Sequence, residues 1–149
     1  MEKEFVMLKP DAVQRGLIGT LINRLERTGL KIIAMKFLQV TQEMAEKHYE
    51  VHKGKPFYPS LVEFITSGPV VAMVLEGKDA VSITRKIVGA TNPAEAAPGT
   101  IRGDFGINIG RNLIHASDSP ENALTEIAVY FTDDELVSWE PTLSKWFTE

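Results

Sequence analysis

Three short runs rich in Val, Ile, Leu and Phe dominate what this chain can fold into. They lie at residues 5–8, 31–40 and 70–75 and read as buried strands. Helical spacing separates them. Ile18, Leu21, Ile22 and Leu25 recur at i, i+3, i+4 and i+7, so residues 18–28 form an amphipathic helix, and Gly29 stops it. A chain that alternates these two periods builds a sheet with helices laid on it, not a bundle or a sandwich of strands.

Other signals extend the pattern. Lys9-Pro10-Asp11 is a turn after the first strand. Thr41 can cap a helix through Met44, Ala45 and His48. Ser60 and Glu63 have capping-box spacing, which starts the next helix at Ser60, and Gly68-Pro69 ends it. Asp79 can cap a helix that stops at Gly89, and a short strand falls near the end of residues 107–115. Ser119-Pro120-Glu121 opens a last helix reaching Tyr130. Residues 91–106 hold two prolines and three glycines and show neither period, so they read as a long loop of the kind that carries function. Trp139, Trp146 and Phe147 make the tail too apolar to be free; it packs on the domain or on a neighbouring subunit.

With the middle helices taken as an insertion, the order is βαββαβ. The expected class is α+β, an antiparallel sheet with helices over one face. The 149 residues suit one domain, 1–149.

Composition removes several chemistries. There is no cysteine, so thiolate metal sites, disulfides and sulfur nucleophiles are excluded. The net charge of −4 argues against a stable nucleic acid or membrane partner. Residues 1–4 are charged in both signs, and only four apolar residues precede Lys9, which does not resemble a secretory signal. A cytoplasmic location is expected.

Some motifs fail on inspection. His48 and His52 share a helix face, but Tyr49 stands where a zinc protease needs Glu. They read as a solvated face. Asp104-Phe105-Gly106 matches a protein-kinase triplet without the other kinase motifs and is coincidental. No P-loop is present.

Three features carry chemistry. His115, near a strand end, is followed by Ser117 and Asp118 and precedes Glu126 on the next helix. A nearby acid can fix an imidazole tautomer and leave the other nitrogen free to attack. Lys9, Arg85 and Arg102 offer a polyphosphate one point charge and two forked donors, if the fold brings them together. Tyr49, Phe57 and Tyr58 place aromatics in the helical insertion.

The stretch Asn112-Leu-Ile-His115-Ala-Ser117-Asp118 resembles the active-site motif of nucleoside diphosphate kinases. Phe5-Val-Met-Leu-Lys9-Pro-Asp11 resembles the opening strand and lysine of that family. His48-Tyr49 with Lys55-Pro56-Phe57 resembles its nucleotide-binding helical hairpin. Residues 91–105 resemble its long loop. The matches keep the family's order over nearly the whole chain. Ala116 and Lys55 depart from residues common in the family, Gly and Arg. Ala116 still leaves the backbone beside His115 accessible, and Lys55 keeps the charge without the fork.

The resemblance implies a ferredoxin-like βαββαβ sandwich with a helical-hairpin insertion, a long loop and a C-terminal tail. It implies transfer of the γ-phosphate of a nucleoside triphosphate, typically ATP, to a nucleoside diphosphate through a phosphohistidine at His115. Glu126 would orient the ring, with Ser117 behind it. Arg85, Arg102 and Thr91 would contact phosphates. Lys9 and Asn112 would reach sugar and phosphates, Tyr49 would belong to the nucleotide site, and Phe57 would stack on the base. Mg2+ would be held mainly by phosphates and water, with no protein ligand cluster. The family also implies a homo-oligomer, a homohexamer sooner than a homotetramer, with residues 91–106 near the three-fold contacts.

Overall fold

The computed structural model describes residues Met1–Glu149. Four strands form one antiparallel sheet: β1 (Glu2–Leu8), β2 (Lys31–Gln39), β3 (Pro69–Gly77) and β4 (Ile114–Ala116), in the order β2-β3-β1-β4. Between them run α1 (Pro10–Gln14), α2 (Ile18–Glu26), α3 (Gln42–His48), α4 (Tyr58–Ile65), α5 (Ala80–Val88) and α6 (Ile101–Phe105). Helix α7 (Pro120–Tyr130) follows β4. With α2 and α5 as the two crossovers, this is the ferredoxin-like α+β order, and α3 and α4 are the insertion.

Helices cover both faces of the sheet, not the one face expected. On one side Val6, Leu8, Val71 and Met73 pack against Leu21 and Leu25 of α2 and Ala80 and Val88 of α5. On the other, Phe5, Met7, Ala72 and Val74 meet Ala45 of α3, Val62 and Ile65 of α4, and Ile127 of α7. The signal was in the central strands. Phe5 to Leu8 and Val70 to Leu75 are apolar without alternation, and all are essentially buried. A continuous apolar strand marks a sheet covered on both sides.

Several local expectations change. The turn at Pro10 is the start of α1, with Pro at its first turn. The Ser60–Glu63 capping box does not form: α4 begins at Tyr58 with Pro59 in its first turn and no side-chain cap. Asp79 does not cap α5. It sits at φ 55°, and the Glu2 carboxylate accepts the Val81 N–H at 2.8 Å instead. Residues 91–106 are not an unstructured loop. A 3₁₀ turn (Pro93–Glu95) is capped by Asn92, and α6 is capped by the Thr100 hydroxyl, which accepts the Gly103 N–H at 3.0 Å. Five residues are under two helical turns, too few to show a hydrophobic period. Thr41 and Ser119 do cap α3 and α7.

The tail folds back on β2, an edge strand. Val137 N–H donates to the Ile33 carbonyl at 2.8 Å and Trp139 Nε1 to the Ile32 carbonyl at 3.0 Å, where the β2–β3 register shifts. Phe147 lies against Gly29, whose φ of 92° and missing Cβ leave room for the ring. No helix is long and apolar enough to cross a membrane.

Candidate active site

The site begins where β1 and β4 end side by side. Lys9 N–H donates to the Leu113 carbonyl at 2.9 Å, and Lys9 Nζ donates to Asn112 Oδ1 at 2.9 Å. Between Asn112 and β4 the backbone makes a tight reversal. Ile114 N–H donates to the Asn112 carbonyl at 2.8 Å across Leu113, which has φ 74°. An i→i+2 bond about a positive φ is the rare γ-turn, at a cost of about 1–3 kcal/mol. Two ties hold it: the Asp11 carboxylate accepts the Leu113 N–H at 3.0 Å, and the Leu113 side chain is fully buried. The turn delivers His115 to the end of a short strand.

His115 Nε2 lies 2.5 Å from Glu126 Oε1 of α7, and the Ser117 hydroxyl donates to the same oxygen at 2.7 Å. A carboxylate oxygen facing Nε2 makes that nitrogen the N–H donor and leaves the lone pair on Nδ1. Nothing in the chain hydrogen-bonds Nδ1.

Three cations surround this histidine's strand. Arg85 of α5 donates to the Ala116 carbonyl at 3.0 Å. Arg102 of α6 donates to the carbonyls of Asn112 (3.2 Å), Gly89 (3.2 Å) and Ile114 (2.6 Å). Burial, and then the charge of Arg102, pull the Lys9 ammonium down to about 8. Burial, and then Arg85, pull Arg102 down to about 10. Crowded cations that depress one another are what a bound anion relieves. Arg102 also locks the γ-turn, a structural duty that its sequence position does not reveal.

A cleft of about 800 Å³ opens over these groups. It gathers His115, Glu126, Lys9, Arg85, Arg102 and Asn112, and also Thr91, whose carbonyl accepts from Asn112 Nδ2 at 3.1 Å. Tyr49 and Phe57 of the insertion line its far wall. Tyr49 is buried, and burial pushes its phenol up to about 12. Phe57 is 48% exposed, with the Lys55 ammonium 5.8 Å from its ring centroid and the His52 ring edge-on at 5.3 Å. Ser117 stands behind Glu126, fully buried and outside the cleft. Tyr58, the third aromatic of the insertion, is not in the cleft and packs against the core under α4.

Some residues at the site were not foreseen. Ile109 and Arg111 line the cleft from a segment with no readable period, and the Arg111 guanidinium lies 4.3 Å from the ring centroid of Phe64 in α4. His48 is not on a solvated face. It is buried, stacks on Tyr49 at 4.6 Å, and sets Nε2 3.4 Å from His115 Nε2. Its Nδ1 bonds the Tyr130 hydroxyl at 2.7 Å. Burial holds its pKa well below that of an ordinary histidine, so the ring is neutral. Ala45, His48 and Tyr49 share the i, i+3, i+4 face that α3 buries, a signal present in the sequence. His52, the helix neighbour once paired with it, lies apart, near Phe57 and Lys55.

An oriented imidazole with a free nitrogen, set among cations in a cleft with an aromatic lip, defines a centre for nucleophilic chemistry on an anionic, ring-bearing substrate. The nucleoside diphosphate kinase family model matches residues 2–136. A nucleoside diphosphate kinase of Archaeoglobus fulgidus is 63% identical over 149 residues, covering 100% of this chain and 99% of that protein. One from Trichormus variabilis is 62% identical, with complete coverage of both. Among solved structures, a halophilic nucleoside diphosphate kinase from Halobacterium salinarum in complex with CDP superposes with a TM-score of 0.96 at 53% identity, covering 99% of each chain. The chain therefore belongs to the nucleoside diphosphate kinase family, phosphotransferases that act on nucleotides.

Proposed function

We propose that this chain moves the γ-phosphate of a nucleoside triphosphate, typically ATP, onto a nucleoside diphosphate in two half-reactions through His115. The observation that carries this reading is the 2.5 Å contact between His115 Nε2 and Glu126 with Nδ1 left unpartnered. The Nδ1 lone pair attacks the γ-phosphorus as the bond to the β-phosphate oxygen breaks, and the diphosphate leaves. The proton stays on Nε2, and the positive charge that the ring acquires is offset by Glu126. A β-phosphate oxygen of the acceptor then attacks phosphorus and the P–N bond breaks. Donor and acceptor are alike, so one cleft serves both halves.

Phosphoryl transfer needs positioning and charge more than covalent help. Arg85, Arg102 and Lys9 take the phosphates, with Thr91 and Asn112 beside them, and Asn112 and Lys9 also reach the sugar. Phe57 stacks on the base, next to Tyr49. Stacking accepts any base, and no buried polar group is left unpaired by the wrong one, so base specificity is broad. One acceptor in the cleft would suit a hydrated Mg2+ carried in by the nucleotide. Asp118, held by Asn122 Nδ2 at 2.6 Å, offers a carboxylate that would accept hydrogen bonds from the ion's waters. Bound there, Mg2+ would supply positive charge that offsets the charge of the phosphates.

The same reading takes residues 1–149 as one domain acting in the cytoplasm, and as a homohexamer. Exposed Met35 and Phe37 on the edge strand β2 support a second copy there. Initial rates with two nucleotides test the mechanism: parallel double-reciprocal lines are expected, and intersecting lines would contradict a covalent intermediate.

A further inference from the structure

We propose that His48, His115 and Glu126 form a binding site for a borderline-soft divalent ion such as Zn2+, whose occupation stops phosphotransfer; this second part rests on the function proposed above. Three donor atoms face one another: His48 Nε2 and His115 Nε2 at 3.4 Å, His115 Nε2 and Glu126 Oε1 at 2.5 Å, and His48 Nε2 and Glu126 Oε1 at 3.8 Å. A triangle with sides 3.4, 2.5 and 3.8 Å has a circumradius of about 1.9 Å, against Zn–N and Zn–O bonds of about 2.0–2.2 Å. The triangle is acute, so the equidistant point lies inside it. Only the short edge must open, and that edge is a hydrogen bond whose proton the metal replaces.

The surroundings suit ligation. Tyr130 holds His48 through Nδ1 at 2.7 Å, and Ser117 holds Glu126 at 2.7 Å. Ligating histidines and carboxylates are fixed by outer partners of this kind. Two imidazoles and one carboxylate are a zinc donor set with a fourth position for water, and the cleft supplies the route. Mg2+, which prefers oxygen donors, is a poor fit to two ring nitrogens.

Binding is not redox. The Nε2 proton of His115 moves through solvent to Nδ1, so the ring stays neutral and the ion takes the Nε2 lone pair. Nδ1 then carries the proton and has no lone pair to attack phosphorus, and the metal consumes the Glu126 charge needed to offset the phosphorylated ring. The nucleophile is thereby disabled while Mg2+-nucleotide still finds its cations.

Calorimetric titration of the metal-free full-length protein with ZnCl₂ tests the site. One ion per chain at micromolar affinity or tighter is expected, with Co2+ giving a visible absorption band in its place. His48→Gln should weaken binding at least 100-fold, and His52→Gln should leave it unchanged. If His48→Gln does not fold, Tyr130→Phe removes one hydroxyl and should weaken binding about tenfold. No binding at 100 μM, equal affinity in both His48→Gln and Tyr130→Phe, or loss in His52→Gln would overturn the site. For the switch, protein loaded with Zn2+ and desalted is mixed with labelled Mg2+-ATP. The label should fail to appear on His115 and return after chelation; full labelling of the loaded protein overturns the switch. Protein that never labels, with or without Zn2+, refutes the kinase mechanism and leaves the metal site standing.

Discussion

Glu126 meets His115 at Nε2, 2.5 Å away, and the same carboxylate oxygen accepts the Ser117 hydroxyl. One oxygen therefore sets the tautomer of the nucleophile, and one buried hydroxyl sets the oxygen. Glu126→Gln keeps the shape and removes the charge. Its amide can also present an N–H to the ring and select the wrong tautomer. The turnover number should fall about 10²–10⁴-fold while nucleotide KM changes little, as steady-state kinetics at saturating nucleotide will show.

Phe57 lines the cleft half exposed, with the Lys55 ammonium 5.8 Å from its ring centroid, and the exposed ring surface is what a base would stack on. Phe57→Ala should cost about 1–3 kcal/mol of nucleotide binding, a KM increase of about 5- to 150-fold. Purine and pyrimidine diphosphates should be affected alike. A loss confined to one base would mean that an edge contact, not stacking, reads it.

Lys9 is held at about 8 by burial first and by Arg102 second, with Asp11 opposing. Above that pH the empty site loses a positive charge, so nucleotide affinity should fall as pH rises through 8. A bound phosphate pulls the lysine back to its charged form. Binding near pH 8–9 should then take up a proton, approaching one per site. Calorimetry in two buffers of different ionisation enthalpy measures this, and Lys9→Met should abolish it.

Glu4 is fully buried beside the same machinery. Its Oε1 accepts the Phe5 N–H at 3.1 Å, and Oε2 has no partner. Burial above all, with Glu126 adding to it, raises this carboxyl to about 9; the Phe5 N–H and Arg85 oppose. The folded protein therefore keeps a proton that the unfolded chain releases near 4.5. Its contribution to stability is fully present below pH 4.5 and is lost as pH rises to about 9, by at most about 1.4 kcal/mol per pH unit. Glu4→Gln cannot ionise. Urea unfolding should show the variant gaining on the wild type steadily across that window, and parallel curves would contradict the buried neutral acid.

The order of these elements was readable because strands and helices long enough to repeat announce their period. The spacing of Ile18, Leu21, Ile22 and Leu25 is α2, and Thr41 and Ser119 are working caps. Reading failed where two local signals competed or where an element was short. Ser60 and Glu63 lost to Tyr58-Pro59, because a proline pre-set for the first helical turn moved the start upstream. Helix α6 left only Thr100 as a trace. Within the site, residue types suited to phosphate chemistry were visible one at a time. Their convergence was not, since it depends on contacts between residues about 100 apart, such as Lys9 with Asn112 and Asp11 with Leu113. Nor does any local pattern announce that Arg102 binds three carbonyls, or that His48 turns inward onto His115.

The most direct measurement is to mix the protein with γ-labelled ATP and Mg2+, without any acceptor. An acid-labile, base-stable label should appear on His115, be absent from His115→Gln, and pass to an added nucleoside diphosphate. Phosphate exchange between ATP and another diphosphate by His115→Gln, or a label that no diphosphate can discharge, would contradict transfer through this histidine.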